Sequence, residues 1–196
     1  MATIPTVPAF VANDTSITKL QQLAYCASFL SVGTVTPMWH FHHSATQGPL
    51  TASTWTAVVY DTNDLDSDGV WTTNGKVTFV TQGYYATEAA VQAECTATTF
   101  FLEASFWWYA GANNPNYVAG TQKIYGAQGT ASYAATGADA CVCINEICPV
   151  VCYPGDYVNV YVWANQAVTL NTNTPSGAMQ GRFVPNFTGM FIRTGS

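Results

Sequence analysis

From Trp39 to the C-terminus, apolar and polar positions alternate with a period of two, and turn residues interrupt them at short intervals. Trp55, Ala57 and Val59 alternate with Thr56, Val58 and Tyr60, and Val77 and Phe79 with Lys76 and Thr78. Phe100, Leu102, Ala104 and Phe106 share one face of a longer strand. Val158, Val160 and Val162 oppose Tyr157, Asn159, Tyr161 and Trp163 on another. Breaks are expected at Asp68-Gly69, Asn74-Gly75, Gln82-Gly83, Pro154-Gly155 and Ser176-Gly177. Residues 110–140, rich in Gly, Ala, Asn and Thr, read as long loops. Many short strands between such breaks predict an all-β sandwich over 36–196. Residues 1–35 follow another pattern. Pro5 and Pro8 keep the start extended, and Asp14, Thr15 and Ser16 are good helix N-caps. Ile17, Leu20, Leu23, Ala24, Ala27 and Leu30 then form a stripe along one face of a helix of about four turns. A short helix with such a stripe must bury it, on its own domain or on a neighbour. The N-terminal arm and helix are therefore read as an anchoring segment.

Composition changes the picture in one respect. The 196 residues are 48% apolar and 14% aromatic, but only 8% charged, against roughly 25% in ordinary globular domains. So little charge leaves a large monomer surface poorly solvated, which points to burial in an assembly. The net charge is −6, and Lys19, Lys76, Lys123, Arg182 and Arg193 are scattered, so no cationic cluster exists to neutralise phosphates. Nucleic acid is not an expected partner. No apolar run reaches the roughly 18 residues of a membrane span, so membrane insertion is not expected either. The first residues lack a basic and then apolar leader, which predicts synthesis in a cytoplasm.

Three segments carry a resemblance. Gly75-Lys76-Val77-Thr78-Phe79, continuing to Gly83-Tyr84-Tyr85-Ala86, resembles a strand pair of the complement component 1q globular head and its tumour-necrosis-factor-like relatives. Pro154-Gly155-Asp156-Tyr157-Val158-Asn159-Val160 resembles a later strand of that fold, and Phe187-Thr188-Gly189-Met190-Phe191-Ile192 its closing strand. Their order and spacing agree with that fold over about 39–194, and the resemblance implies that the sandwich over 36–196 is a jelly roll. The opening, Met1 to Phe10 followed by a polar break and then Ile17 to Leu30, looks like that of appendage proteins of actinobacterial phages. The resemblance implies a virion-surface component made in the host cytoplasm: a head-decoration, fibre or minor tail protein. It also implies a homotrimer, attached to other virion proteins through the N-terminal segment. The two-sided apolar strand at 157–163 makes Tyr157, Tyr161 and Trp163 the expected trimer contacts.

Candidate chemistry is sparse. Asp64, Asp66 and Asp68 before Gly69 match the first half of a calcium loop, but the twelfth position, where such a loop carries a bidentate Glu, is Gly75. Calcium is the one cofactor candidate; otherwise none is expected. His40 and His42 fall on one strand face and could pair on a metal only with a third ligand. Cys141, Cys143, Cys148 and Cys152 lie within twelve residues. Their spacing is not that of a zinc knuckle, and buried thiols, disulfides and a metal site all stay open. Glu88, Glu94, Glu103 and Glu146 offer no recognisable acid–base pair, and no nucleophile or phosphate-loop signature is present, so the chain is not expected to be an enzyme. Trp107, Trp108 and Tyr109 with Asn113 and Asn114 form a candidate glycan-binding platform for a host cell-surface glycan. The same tryptophans equally suit a strand with one ring in the core and one at an interface.

Overall fold

A computed structural model of the chain describes residues 36–72, 75–97, 99–123, 128–133, 139–148, 150–172 and 185–194. The expected N-terminal arm and helix, Asn74, Pro149 and the turn at Ser176-Gly177 lie outside the described residues. Among the described residues two antiparallel sheets face each other, with strands numbered in chain order.

The first sheet runs β2 (Gln47–Leu50), β12 (Val168–Leu170), β6 (Tyr84–Glu94), β13 (Asn186–Arg193), β1 (Met38–His42), β4 (Thr62–Asp66), with β10 (Asp139–Ile147) on the other side of β6. The second runs β3 (Thr56–Ala57), β11 (Tyr157–Ala164), β7 (Phe100–Tyr109), β8 (Gln122–Lys123). There β5 (Val77–Thr78) also pairs with β11, and β9 (Gln128–Tyr133) with β7. The first and last strands lie side by side, Met38 opposite Met190 and His42 opposite Asn186. Chain-distant neighbours of this kind close the sandwich.

The period-two pattern explains which residues face inward. Phe100, Leu102, Ala104 and Phe106 of β7 and Val158, Val160 and Val162 of β11 are all buried in one core. Val77 and Phe79 join them, as do Val58 and Tyr60 just beyond β3. The first sheet contributes Trp39, Phe41, Tyr85, Ala89, Val91, Val142, Ile144 and Phe187. Burying one such large side chain stabilises by about 1.5–3 kcal/mol, and aromatic pairs add edge-on contacts. Trp39, fully buried, meets Phe79, Tyr85 and Phe187 with ring centroids 5.9–6.1 Å away.

Two glycines of the recognised motifs have a steric origin. At Gly189 on β13 an added Cβ would sit 2.5 Å from Cε2 of Trp39 and closer still to Cζ2 and Cη2. The indole lies where any larger residue would put its side chain. Gly75 has φ +68°, and its Cβ would come within 2.6 Å of the Val58 carbonyl oxygen.

The reading of 110–140 as long loops needs correction, because β8, β9 and the start of β10 lie there. Strand β9 has the sequence Gln-Gly-Thr-Ala-Ser-Tyr, which carries no apolar alternation. It is a strand because its backbone pairs with β7, Phe101 opposite Ser132 and Glu103 opposite Thr130. Pairing with a neighbour supplied what local pattern lacked.

Candidate interaction face

On the first sheet, the side chains pointing away from the core fall into rows across four strands. Met38, Met190, Ala86 and Ile147 lie opposite one another on β1, β13, β6 and β10. This row is apolar throughout. Met38 at one end is buried, whereas Met190 beside it is 38% and Ile147 at the other end 62% accessible; Ile192, two residues past Met190 on β13, is 44% accessible. A depression of about 250 Å³ opens between Met38, Ala86, Ile147 and Met190, with Glu88 and Thr188 on its polar side. The next row is polar, His40–Thr188–Glu88–Asn145, and the one after it is His42–Asn186–Ala90–Cys143. His40 Nδ1, Asn186 Oδ1 and both amide atoms of Gln92 are buried here with no hydrogen-bond partner among the described residues. Burial holds the His40 imidazole below its ordinary value, against the opposing pull of the Asp64 carboxylate 3.6 Å from Nε2; His42 adds a smaller lowering. Asp64 itself contacts His42 Nδ1 at 2.6 Å. Burial, and then the nearby Glu88, pushes the Cys143 thiol up.

The outward side of the second sheet is an aromatic band. Trp107 and Tyr161 stack at 4.0 Å and 19°, and Tyr109 and Tyr157 at 4.8 Å and 13°. Trp55 leans on Trp107 at 5.6 Å, Phe101 meets Trp163 edge-on at 6.2 Å, and Lys76 Nζ lies 4.5 Å over the Tyr157 ring. These cross-strand pairs hold the sheet together. Stacking covers one ring face each of Trp107, Tyr161, Tyr109 and Tyr157. Burial raises the phenols of Tyr109 and Tyr157, with Tyr161 adding to both, so both remain protonated.

No protein-family model matches the sequence, and no curated protein sequence does. By structure the chain is similar to Eiger TNF from S. frugiperda, at a TM-score of 0.50 and 11% identity, covering 82% of this chain and 95% of that one. The fold is a tumour-necrosis-factor-like jelly roll. The globular domain of zebrafish complement 1qA protein gives a TM-score of 0.48 at 13% identity, covering 82% of this chain and 99% of that chain. Murine APRIL gives 0.49 at 13%, covering 80% and 99%.

Several sequence candidates fall elsewhere in this jelly roll. Trp108 cannot belong to a glycan platform: it is 1% exposed and stacks on Phe79 at 5.4 Å in the core. Strand alternation sends its neighbours Trp107 and Tyr109 to the opposite side. Asn114 is buried and donates from Nδ2 to Asp156 Oδ2 at 2.7 Å, while Asn113 donates to the Pro154 carbonyl at 3.1 Å. Both amides brace the turn before β11, Asn114 from a buried position and Asn113 from an exposed one. Asp156 also accepts from the backbone N–H of Gly111 (2.7 Å) and Tyr153 (3.0 Å), which accounts for the Gly-Asp of the second motif.

The calcium reading needs the same correction. Asp64, Asp66 and Asp68 do not converge, and no group of three metal-ligating side chains is found among the described residues. Asp64 turns to the histidines, and Asp66 accepts from the N–H groups of Val70 (2.9 Å) and Trp71 (3.0 Å), closing the turn at Gly69. Burial, then Asp66, pushes the Asp68 carboxyl up. His40 and His42 do share a face, as their spacing predicts. Tyr157, Tyr161 and Trp163 point away from the core as expected, but rings of β7 already half-bury them. The apolar row Met38–Met190–Ala86–Ile147 was missed. It runs across strands rather than along one, so only Met190, which with Ile192 alternates against Phe191 on β13, leaves a trace in the sequence.

Proposed function

We propose that this chain is a non-enzymatic, homotrimeric jelly roll displayed on the outside of a bacteriophage particle, as a head-decoration, fibre or minor tail protein. The observation that carries the trimer is the exposed apolar row of the first sheet. Ile147 and Met190 line a depression, with Ile192 exposed further along β13, on a chain whose surface has little charge to keep it apart from others. The subunit contact is therefore assigned to this face rather than to Tyr157, Tyr161 and Trp163. The virion setting is supported by the resemblance of residues 1–30 to phage appendage proteins, with that segment as the attachment to other virion proteins.

Sedimentation velocity of the full chain at micromolar concentration tests the assembly. The wild type should sediment as a trimer, and Ile147→Asp with Met190→Asp as a folded monomer. A wild-type monomer refutes the trimer. A trimer that survives the double substitution but is lost with Tyr161→Ser and Trp163→Ser moves the contact to the second sheet. Mass spectrometry of purified particles tests the virion assignment, which fails if the chain is missing from intact virions.

The aromatic band favours a second reading, a carbohydrate-binding receptor module, because Trp107, Tyr109, Tyr157 and Tyr161 remain partly accessible, with Lys76 over the Tyr157 ring. Its rings face one another, which leaves less flat surface for a sugar. Binding on a glycan array that disappears with Trp107→Ala would establish it.

A further inference from the structure

We infer that Cys148 and Cys152 are a disulfide-forming pair that closes a clip at the end of β10. The geometry follows from how this segment is held. Strand β10 pairs with β6 as far as Ile147 opposite Ala86, and Cys148 N–H still donates to the Tyr85 carbonyl at 2.9 Å. Four residues later the chain is again beside this segment, at the residue just before β6. Cys152 exchanges both backbone hydrogen bonds with Gly83, at 2.8 and 3.0 Å. The two cysteines thus dock beside Tyr85 and Gly83, two residues apart on one extended segment and about 6.6 Å along it. A fully extended run between them would span roughly 13 Å. Disulfides need Cα atoms about 4.4–6.8 Å apart, so docking beside Tyr85 and Gly83 brings the cysteines into range.

The side chains complete the case. Both thiols are fully buried in the core cluster, and their sulfurs lie 3.6 Å apart. Bond formation requires an approach of about 1.5 Å to the usual S–S length. Cys141 and Cys143 differ: they are outward-facing on β10, opposite Gln92 and Ala90, and Cys143 is exposed. The bridge forms by exchange with an external disulfide such as oxidised glutathione. The thiolate of one cysteine attacks that disulfide and releases one reduced glutathione. The second thiolate then displaces the other glutathione from the mixed disulfide. In total two S–H bonds of the chain are lost, one S–S bond forms, and the external disulfide is reduced to two thiols. The clip fixes the end of β10, and with it the adjacent Ile147, against β6. It does not depend on the trimer or the virion assignment.

The test uses the full chain, reduced and then equilibrated with oxidised glutathione, with and without urea just below the unfolding transition so that burial does not limit access. Peptide mass mapping should find a Cys148–Cys152 linkage two mass units below the dithiol. The melting temperature should rise by about 4–8 °C and return on reduction. Cys152→Ser should abolish both the linkage and the shift while the reduced protein keeps its fold. Cys148 and Cys152 remaining alkylatable after equilibration in urea would overturn the inference, as would linkage of either to a different cysteine.

Discussion

Replacing Gly189 by alanine adds a single methyl group, yet it is expected to be among the most damaging substitutions in the molecule. The added carbon would lie 2.5 Å or less from three atoms of the Trp39 six-membered ring, where ordinary contact is about 3.5–4.0 Å. Trp39 would have to retreat by more than 1 Å. It is fully buried, and Phe79, Tyr85 and Phe187 surround it, so the strain passes to rings that are themselves enclosed. Overpacking of this kind costs about 1–3 kcal/mol, and the depth of the overlap puts Gly189→Ala near the top, about 3 kcal/mol. For a chain of this length that corresponds to a fall in Tm of roughly 6–12 °C. Guanidinium unfolding at fixed protein concentration is the assay, because any oligomer couples stability to concentration. Trp39→Phe, which removes part of the ring that collides, should be destabilising alone but should relieve the strain in the double variant. A coupling of at least about 1 kcal/mol in the double-mutant cycle is expected. A loss below about 0.5 kcal/mol for Gly189→Ala, or strictly additive effects, would refute the steric account.

Acidification should weaken the fold through His40. Its folded-state value is lowered mainly by burial, so its contribution is complete above the unfolded value of about 6.5. It is lost as pH falls below that, by up to about 1.4 kcal/mol per unit until the lowered folded value is reached. Urea midpoints at pH 7.5, 6.5 and 5.5 should show this slope in the wild type and a shallower one in His40→Gln; equal slopes would remove His40 as the cause. Asp156→Ala strands three donors, Gly111 N–H, Tyr153 N–H and Asn114 Nδ2, and should cost at least about 3 kcal/mol in chemical denaturation. A cost under 1 kcal/mol would show that the turn before β11 does not rely on that carboxylate.

The sequence by itself determined the fold class and much of the core. Period-two alternation needs only the pleat of a strand, so the buried faces of β7 and β11 can be read directly, and Gly189 and Asp156 stand out within the motifs they belong to. Tertiary structure decided the rest, because it depends on which strands become neighbours. Strand β9 has no apolar pattern of its own and exists through its pairing with β7. Asp64, Asp66 and Asp68 look like one loop in sequence, yet Asp64 lies on β4 beside His42 while Asp66 closes a turn. Trp107 and Trp108 look equivalent until the pleat sends one outward and the other into the core. The row Met38–Met190–Ala86–Ile147 takes its members from four strands, two of them at opposite ends of the described chain. Alternation along one strand reports which side a residue faces, but the residues that stand beside it are set by register between strands far apart in the chain.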